Sequence, residues 1–566
     1  MTILSGPSFT KAANAPLAGV LALTTDEDSR VSVSVSDGTA VWERRFYDYG
    51  TTHSVPLLGF KANRTNVITV TVHDKFRNAF RATQPLVFIT GSLPTALSKS
   101  VVFTSQPQKM EPGYTLFRIQ NRNNADDHVA MVDNSGQVAW YSDAPTTSDV
   151  RQLENGNLFM PLAKSFVEIN MLGDRVNTWV APTNLPVNLH DGVPTAHGTI
   201  LYFSDASRMV TNFPTSVTDS NAPTVTTNVL YNKVVEISAT NAALLNTWSP
   251  IDVLDAARLT YLTLSIKSSL GWDNEHSNAV IEDPRDDTLI VSMRNQSAVI
   301  KFSRTNGQLK WILGPHENWG PEFQRSLLTP VGAFFEWQYG QHAPVITPQG
   351  TLLVYDNGND RAIPFTPRVP DTNNYSRAVE YVINEQTMEV SQVWDYGRNN
   401  GERLYTDRVG NADWLPQRGN VLINFGYVNY VDGVRPSPIA PGAVMVRIKE
   451  VTHSRYPEVV FDVAFFNYNN TKTDYGGCFT YRSHRVPDMY AHPAKPVADL
   501  GVRFANGMPR LEFCADETRT YTIEASTDLT EWQEIGLASQ EAEAGNFGFE
   551  DQTGGFRARY YRVVSR

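Results

Sequence analysis

Three histidines stand at one register of three successive strand patterns: His190 in LHDGVPTAHGTILYF, His276 in EHSNAVIEDPRDDTLIVSM and His342 in QHAPVITPQGTLLVY. Each is followed, after a turn, by an apolar run, so a repeating fold stacks the three positions around one axis and brings the imidazoles together. Imidazole changes charge near neutral pH and can serve as acid, base, nucleophile or metal ligand, roles that a convergent trio can share. Further polar residues lie close by. Asn278 follows His276 by two positions, Arg294 in SMRNQSAVIKF ends the strand that begins near His276, and Asn357 and Arg361 in YDNGNDR come just past the strand that begins at His342. Two guanidiniums and several imidazoles at a channel mouth make an anion site, because the planar guanidinium fork binds two oxygens of a sulfate, phosphate or carboxylate at once. Each histidine also has a plain reading as a strand-bridging scaffold contact, and His190, with the fewest polar neighbours, fits it best. Arg361 equally reads as a turn pin on Asp356 or Asp360. The carboxylates of EDPRDDTL and DNGND lack the spacing of a dedicated calcium loop and read as hairpin turns, so neither a metal nor a cofactor is expected.

The elements that must position these residues are strands. At 566 residues, with 36 Gly, 33 Pro and 11% aromatic residues, the chain reads as all-β and as more than one ordinary core. Segments such as RVSVSVSDG and NVITVTVHD place an N-terminal β-sandwich at 1–97. From about Val101 a longer unit recurs: a turn with Gly or Asn-Gly, an apolar strand, a second strand, then a closing strand that carries Trp140, Trp179, Trp248, Trp311, Trp394 or, in the last unit, Phe461. Six such units predict a six-bladed β-propeller over 98–493, with the large aromatics filling the space between blades. In that fold the first strand of each blade lines the central channel, where ligands bind. After Pro496 the pattern shortens again, and 494–566 reads as a C-terminal β-sandwich.

A net charge of -11 without a Lys/Arg run argues against a nucleic-acid partner or an anionic membrane surface. No apolar stretch is long enough to cross a bilayer, and the start MTILSGPSFTKAANAPLAG lacks the basic and apolar regions of a signal peptide. Two cysteines, Cys478 and Cys514, exclude a disulfide framework or a Cys-rich zinc site; they form one bridge across a domain junction or remain two thiols.

The last seventy or so residues resemble a small module appended to secreted bacterial proteins, chiefly in YTIEASTDLTEWQEI and YYRVV, which implies a secreted or periplasmic protein whose leader is absent from this sequence. From about residue 10 to 490 the chain resembles the bacterial aryl-sulfate sulfotransferases. The strings EHSNAVIEDPRDDTLIVSMRNQSAVIKF, GQLKWILGP, QHAPVITPQGTLLVYDNGNDR, YSRAVEYVINEQTMEVSQVWDYG and TYRSHRVPDMY carry that likeness in order. The resemblance implies a sulfuryl group moved from an aryl sulfate to a phenol without a nucleotide donor, through a sulfated histidine. By position it implies that His276, His342 and Arg361 hold the sulfuryl oxygens; from the repeat pattern, His190, Asn278, Arg294, Asn357 and Asn429 are expected around the substrate at the channel mouth. It also implies a nucleophilic histidine in the last blade just after Phe-Gly, where this chain reads Phe425-Gly426-Tyr427-Val428-Asn429-Tyr430. The next histidine on, His453, reads as a hairpin turn, and His484 as a scaffold contact.

Without that nucleophile three readings stand: sulfuryl transfer through another histidine or without a covalent step, another chemistry on the same scaffold, or a non-catalytic anion-binding propeller. The second is concretely a polysaccharide lyase acting on an anionic, uronate-containing polymer. There His276 or His342 is the base, Tyr430 protonates the leaving oxygen, and Arg294 or Arg361 neutralises the carboxylate.

Overall fold

In a computed structural model of the chain, the β-branched and aromatic runs fold as strands, and the sole α-helix among the described residues is the four-residue Thr95–Ser98. The description covers residues 1–566 apart from 77, 122–125, 144–147, 437–444, 467–477, 491–497, 506–507, 516–519, 542–545, 554–557 and 566, and omits the side chains of 47, 121, 126, 498, 499, 505 and 565. The expected boundary at 493/494 and Pro496 therefore lie outside the described residues. No helix among the described residues is long and apolar enough to cross a membrane.

Six antiparallel sheets follow one another through the middle of the chain. Four of them start on Arg151–Gln152, Asn188–Pro194, Ser277–Asp283 and His342–Ile346, each running outward through three further strands in chain order, and Asn411–Leu415 starts another in the same way. The first sheet is completed from far along the chain: Cys478–Phe479 and Ser483–Val486 pair with Tyr114–Asn121, which continues through Asp126–Val132 to Val138–Asp143. Reciprocally, Ser100–Ser105 adds an edge to the sixth sheet against Val459–Phe466. The starting strands lie side by side, Asn188–Pro194 against Ser277–Asp283, then His342–Ile346, then Asn411–Leu415, then Ser483–Val486. Residues far apart in sequence thereby share one axis.

The tryptophan series sits on the fourth strands of the second to fifth sheets and on the last strand of the first, and packing is only part of its work. Each indole N–H donates to the outer turn of the following sheet: Trp140 to the Met171 carbonyl at 2.7 Å, Trp179 to Ala239 at 2.6 Å, Trp248 to Arg304 at 3.0 Å and Trp394 to Ser454 at 3.1 Å, while Trp311 reaches the Glu385 carboxylate at 3.0 Å. A buried indole must place its N–H, and here the partner fixes the angle between neighbouring sheets.

The leading strands form a single hydrogen-bonded sheet of six. Its long strands Gly19–Ser36 and Val41–Leu57 lose register between Thr24 and Val31, and that break lets Leu21 and Leu23 on one side and Val31, Val33 and Val35 on the other bury in the same cluster. At the far end, two small sheets share a core of Leu511, Phe513, Tyr521, Ile523 and Phe547. Cys478 and Cys514 are both buried and form no disulfide with each other, Cys478 lying in the cluster under the leading sheet.

Candidate functional site

The three histidines meet at one end of the axis, and backbone irregularity aims them there. Pairing slips between Asn188 and Gly192, between Ser277 and Ala279, and between His342 and Val345, so every one of the three starting strands carries a bulge at its histidine. His276 itself has φ +48°, as does Ala343. A bulge at the end of a strand re-aims a side chain that regular pleating would send elsewhere. The hairpin after His276 returns Met293 opposite Ser277, and the Arg294 N–H then donates to the His276 carbonyl at 3.2 Å. His190, His276, His342 and Arg294 line a cavity of about 570 Å³, closed by Leu189, Leu262, Ile266, Val409, Phe479 and Tyr481. The lining thus combines imidazoles and a guanidinium with apolar and aromatic side chains.

Partners fix the tautomer of each ring. The Asn357 amide nitrogen faces the Thr406 and Val409 carbonyls at 3.1 and 2.9 Å, so its oxygen faces the His342 Nδ1 at 2.7 Å and that nitrogen carries the proton. Asn188 gives its amide N–H to the Asp205 carboxylate, and its oxygen accepts from the His190 Nδ1 at 2.5 Å. Asp273 accepts from the His276 Nδ1 at 2.5 Å. In all three, Nδ1 is occupied, and no Nε2 has a hydrogen-bond partner among the described residues. In a neutral ring that nitrogen holds a lone pair.

The rings are not alike electrostatically. Burial, together with Arg294, His276 and Arg482 nearby, holds His342 well below the usual histidine range. Burial and the neighbouring His276, His342, Arg294 and Arg482 do the same to His190. His190 and His276 stand 4.5 Å apart between ring centroids, edge to face, and Tyr481 sits 6.2 Å from both His190 and His342. Of the three, only His276 contacts a carboxylate.

Other residues singled out in the sequence lie elsewhere. Arg361 does not line the cavity: its guanidinium reaches Asp356 at 3.1 Å, Glu336 at 3.2 Å and the Tyr375 carbonyl at 2.9 Å, and stacks 3.8 Å over the Tyr375 ring. The fork is spent inside its own sheet. Tyr430 stacks on Tyr405 at 6.3 Å, also off the lining, so the acid of the β-elimination arrangement does not join its base. Asn429 acts at one remove, accepting the Asp407 N–H at 2.8 Å, while the Asp407 carbonyl accepts from Arg294 at 3.0 Å. Asn278 is fully buried behind the lining, donating to the Gln341 carbonyl at 2.8 Å. His453 sits in the turn between Met445–Thr452 and Val459–Phe466, 2.5 Å from Glu380. Sequence reasoning missed Asp273, Asp407 and Tyr481 as members of the site. Asp273 had a signal in WDNEH, three residues before His276; Tyr481 and Asp407 depend on long-range pairing.

Below this cavity the same strands line a second one, of about 240 Å³, with Asp191, Ala279, Ala343, Asp413, Arg482 and His484 on its walls. Arg482 bridges Asp149 and Asp191 at 3.0 Å each, Arg151 also reaches both, and His484 sits between Asp149 at 2.8 Å and Asp413 at 2.6 Å. Burial alone would strip the His484 proton, but the two carboxylates outweigh it and hold the ring up to about 9. A third group of acids, Asp283, Asp286 and Glu385, closes on the buried Lys301 amine at 2.9, 2.8 and 2.6 Å, which supplies the cation there.

A family model described as Arylsulfotransferase (ASST) matches residues 99–475, which contain the strands of the six sheets apart from Cys478–Phe479 and Ser483–Val486, and every residue lining the cavity except Phe479 and Tyr481. The chain belongs to the arylsulfotransferase family. It is 25% identical over 382 residues to arylsulfate sulfotransferase AssT of Escherichia coli O6:H1, covering 57% of this chain and 61% of that one. With the AssT of Lelliottia amnigena it shares 22% over 368 residues, 54% and 59% of the two chains. The chain thus spans about three fifths of the length of these curated relatives. Among solved structures, a periplasmic gluconolactonase of Pseudomonas aeruginosa is similar at TM-score 0.29 and 11% identity over 76% of this chain and 94% of that one. A Bacteroides caccae protein of unknown function is similar at TM-score 0.35 and 11% identity, over 66% and 98%. In this chain the segment after Phe425 packs as wall: a Cβ at Gly426 would overlap the Thr480 carbonyl, and Tyr427 is buried with Val409, Phe479 and Tyr481.

Proposed function

We propose that this cavity transfers a sulfuryl group from an aryl sulfate to a phenol, the aryl sulfate itself being the donor, with no nucleotide and no cofactor. The observation that carries the reading is the mixed lining: imidazoles and Arg294 for the sulfate, and Leu262, Val409, Phe479 and Tyr481 for the ring, all around one cavity. Arg294 donates to Asn295 at 2.9 Å and to the Asp407 carbonyl, so its charge is already oriented before any anion arrives, and its Nε is unpaired among the described residues. Donors held in place where negative charge spreads over the sulfuryl oxygens lower the barrier without reorganising. His190, His276 and His342 are the imidazoles of the site; Asn357 and Asn429 position it, and Asn278 supports it from behind.

The architecture that goes with this reading is a closed six-bladed propeller over 98–493 between sandwiches at 1–97 and 494–566, in a secreted or periplasmic protein. The interlocked ends of the first and sixth sheets and the side-by-side starting strands support closure. In the test, the chain is mixed with 4-nitrophenyl sulfate and a phenol, and nitrophenol is followed by absorbance. Release that depends on the phenol is expected, falling about 100-fold in Arg294→Met. Absence of release from the wild-type chain sinks the proposal, and sulfate-ester binding without turnover would leave an anion-binding propeller instead.

A further inference from the structure

Resting on that reading, we infer that His276 is the sulfuryl acceptor of this chain and that Asp273 is the positioning residue beneath it. Just after Phe425-Gly426, where the family likeness implies the nucleophilic histidine, this chain has the buried Tyr427, which leaves the three rings in the cavity as the candidate acceptors.

Charge decides among them. When an Nε2 lone pair attacks sulfur, a ring that still holds its Nδ1 proton becomes cationic, and the surroundings must stabilise that cation. His342 offers it an amide oxygen, from Asn357, and lies among Arg294, Arg482 and His276. His190 likewise has only the Asn188 amide oxygen and the same positive company. His276 has a carboxylate 2.5 Å from Nδ1, itself held by the Ile266 carbonyl accepting from the Asp273 N–H at 3.0 Å and by Asn295 donating to the Asp273 carbonyl at 2.7 Å. A carboxylate behind an imidazole fixes the tautomer and stabilises the imidazolium, the arrangement that serves hydrolytic triads. Geometry agrees. Against 2% exposure for His342, the His276 side chain keeps 20%, and its left-handed backbone is the strained, bulge-adjacent conformation typical of reactive positions.

The steps balance. Nε2 of His276 forms a bond to sulfur as the bond from sulfur to the aryl oxygen breaks; its electron pair leaves on the phenolate, which takes a proton from water. The sulfated ring keeps its Nδ1 proton against Asp273. The acceptor phenol then loses its proton to the hydroxide that the first step left in water, and its oxygen attacks sulfur while the nitrogen–sulfur electron pair returns to His276.

The experiment mixes the full chain with 4-nitrophenyl sulfate in the absence of phenol, quenches in alkali and maps by mass spectrometry the peptide that has gained one SO3. The gain is expected on His276, persisting in His190→Gln and His342→Gln and absent in His276→Gly. Glycine adopts φ +48° freely, so this variant keeps the turn, which its unfolding midpoint checks. His276→Gly should release nitrophenol about 100-fold more slowly and regain about tenfold with added imidazole. Asp273→Asn should lower kcat about 100-fold with KM changed less than about threefold, a split that simple loosening of the site would not give. SO3 on another residue, or wild-type release rates in His276→Gly, overturns the assignment. Failure of the wild-type chain to release any nitrophenol instead removes the sulfuryl-transfer reading on which it rests.

Discussion

His342 and His484 lie along adjoining stretches of one axis and are held in opposite charge states. His342 is buried against an amide and among cations, so it is kept neutral; His484 is buried between two carboxylates, so it is kept charged. Burial is common to both and would discharge either. What differs is the sign of the neighbours, and that sign divides the axis into an upper cavity with unoccupied nitrogen lone pairs and a lower one whose three acids and three bases pair with each other. The upper region keeps unspent donors and acceptors, as a reacting group requires. The lower leaves none of its ring nitrogens open, which suits it to holding strands together rather than to chemistry.

The contrast breaks most severely where a paired charge is left alone. Arg482→Met strands Asp149 and Asp191, both essentially fully buried, and is expected to cost about 3 kcal/mol in urea unfolding at pH 7, with Arg151 preventing a larger loss. Arg294→Met in the upper cavity removes a cation hydrogen-bonded to the Asn295 amide and the Asp407 carbonyl rather than to a carboxylate, and its stability cost is expected near 1 kcal/mol although most transfer should be lost. Equal costs for the two variants would mean that the regions are not electrostatically distinct.

Opposite pH dependences come next in size. The folded value of His484 is raised, so its contribution is complete below the ordinary histidine value of 6.5 and is lost as pH rises through about 9. The loss is about 3 kcal/mol by linkage, and His484→Gln should lack it. For His190 and His342 the folded values are depressed, so the unfolded chain takes up protons first and stability falls as pH drops below 6.5. His342→Gln should flatten that acid limb and leave the alkaline one. Unfolding midpoints between pH 5 and 10 read both, and one limb moving with the other variant would undo the assignment of each ring to its cluster.

How much of this could be read from the chain follows the range of the interactions. The strand patterns and the tryptophan series were legible because they are periodic, and the meeting of His190, His276 and His342 because a repeat carries equivalent positions to equivalent places. Their charge states were not legible. Those of His190 and His342 depend in part on Arg482, which reaches the axis only because Cys478–Phe479 and Ser483–Val486 complete a sheet begun more than 350 residues earlier in sequence. Arg361 misled for a related reason: DNGNDR shows Asp356, but Glu336 and the Tyr375 ring arrive from separate loops and take up the fork. Tyr430 was placed by its closeness to the Phe425 segment, whereas its short pairing with Tyr405 turns it onto that ring.

The smallest effect probes the edge of the upper region. Asn429 reaches the cavity only through the Asp407 backbone, whose carbonyl receives both Arg294 and Asn359 at 3.0 Å. Removing its oxygen in Asn429→Ala frees one backbone N–H and loosens that carbonyl, which is worth about 1 kcal/mol, or roughly fivefold in kcat/KM. Both pH limbs should stay where they are, because no titrating group loses a partner. A loss as large as that of Arg294→Met would instead mean that Asn429 touches the substrate itself, and the boundary between residues that meet the sulfuryl group and residues that hold them would have to move outward by one.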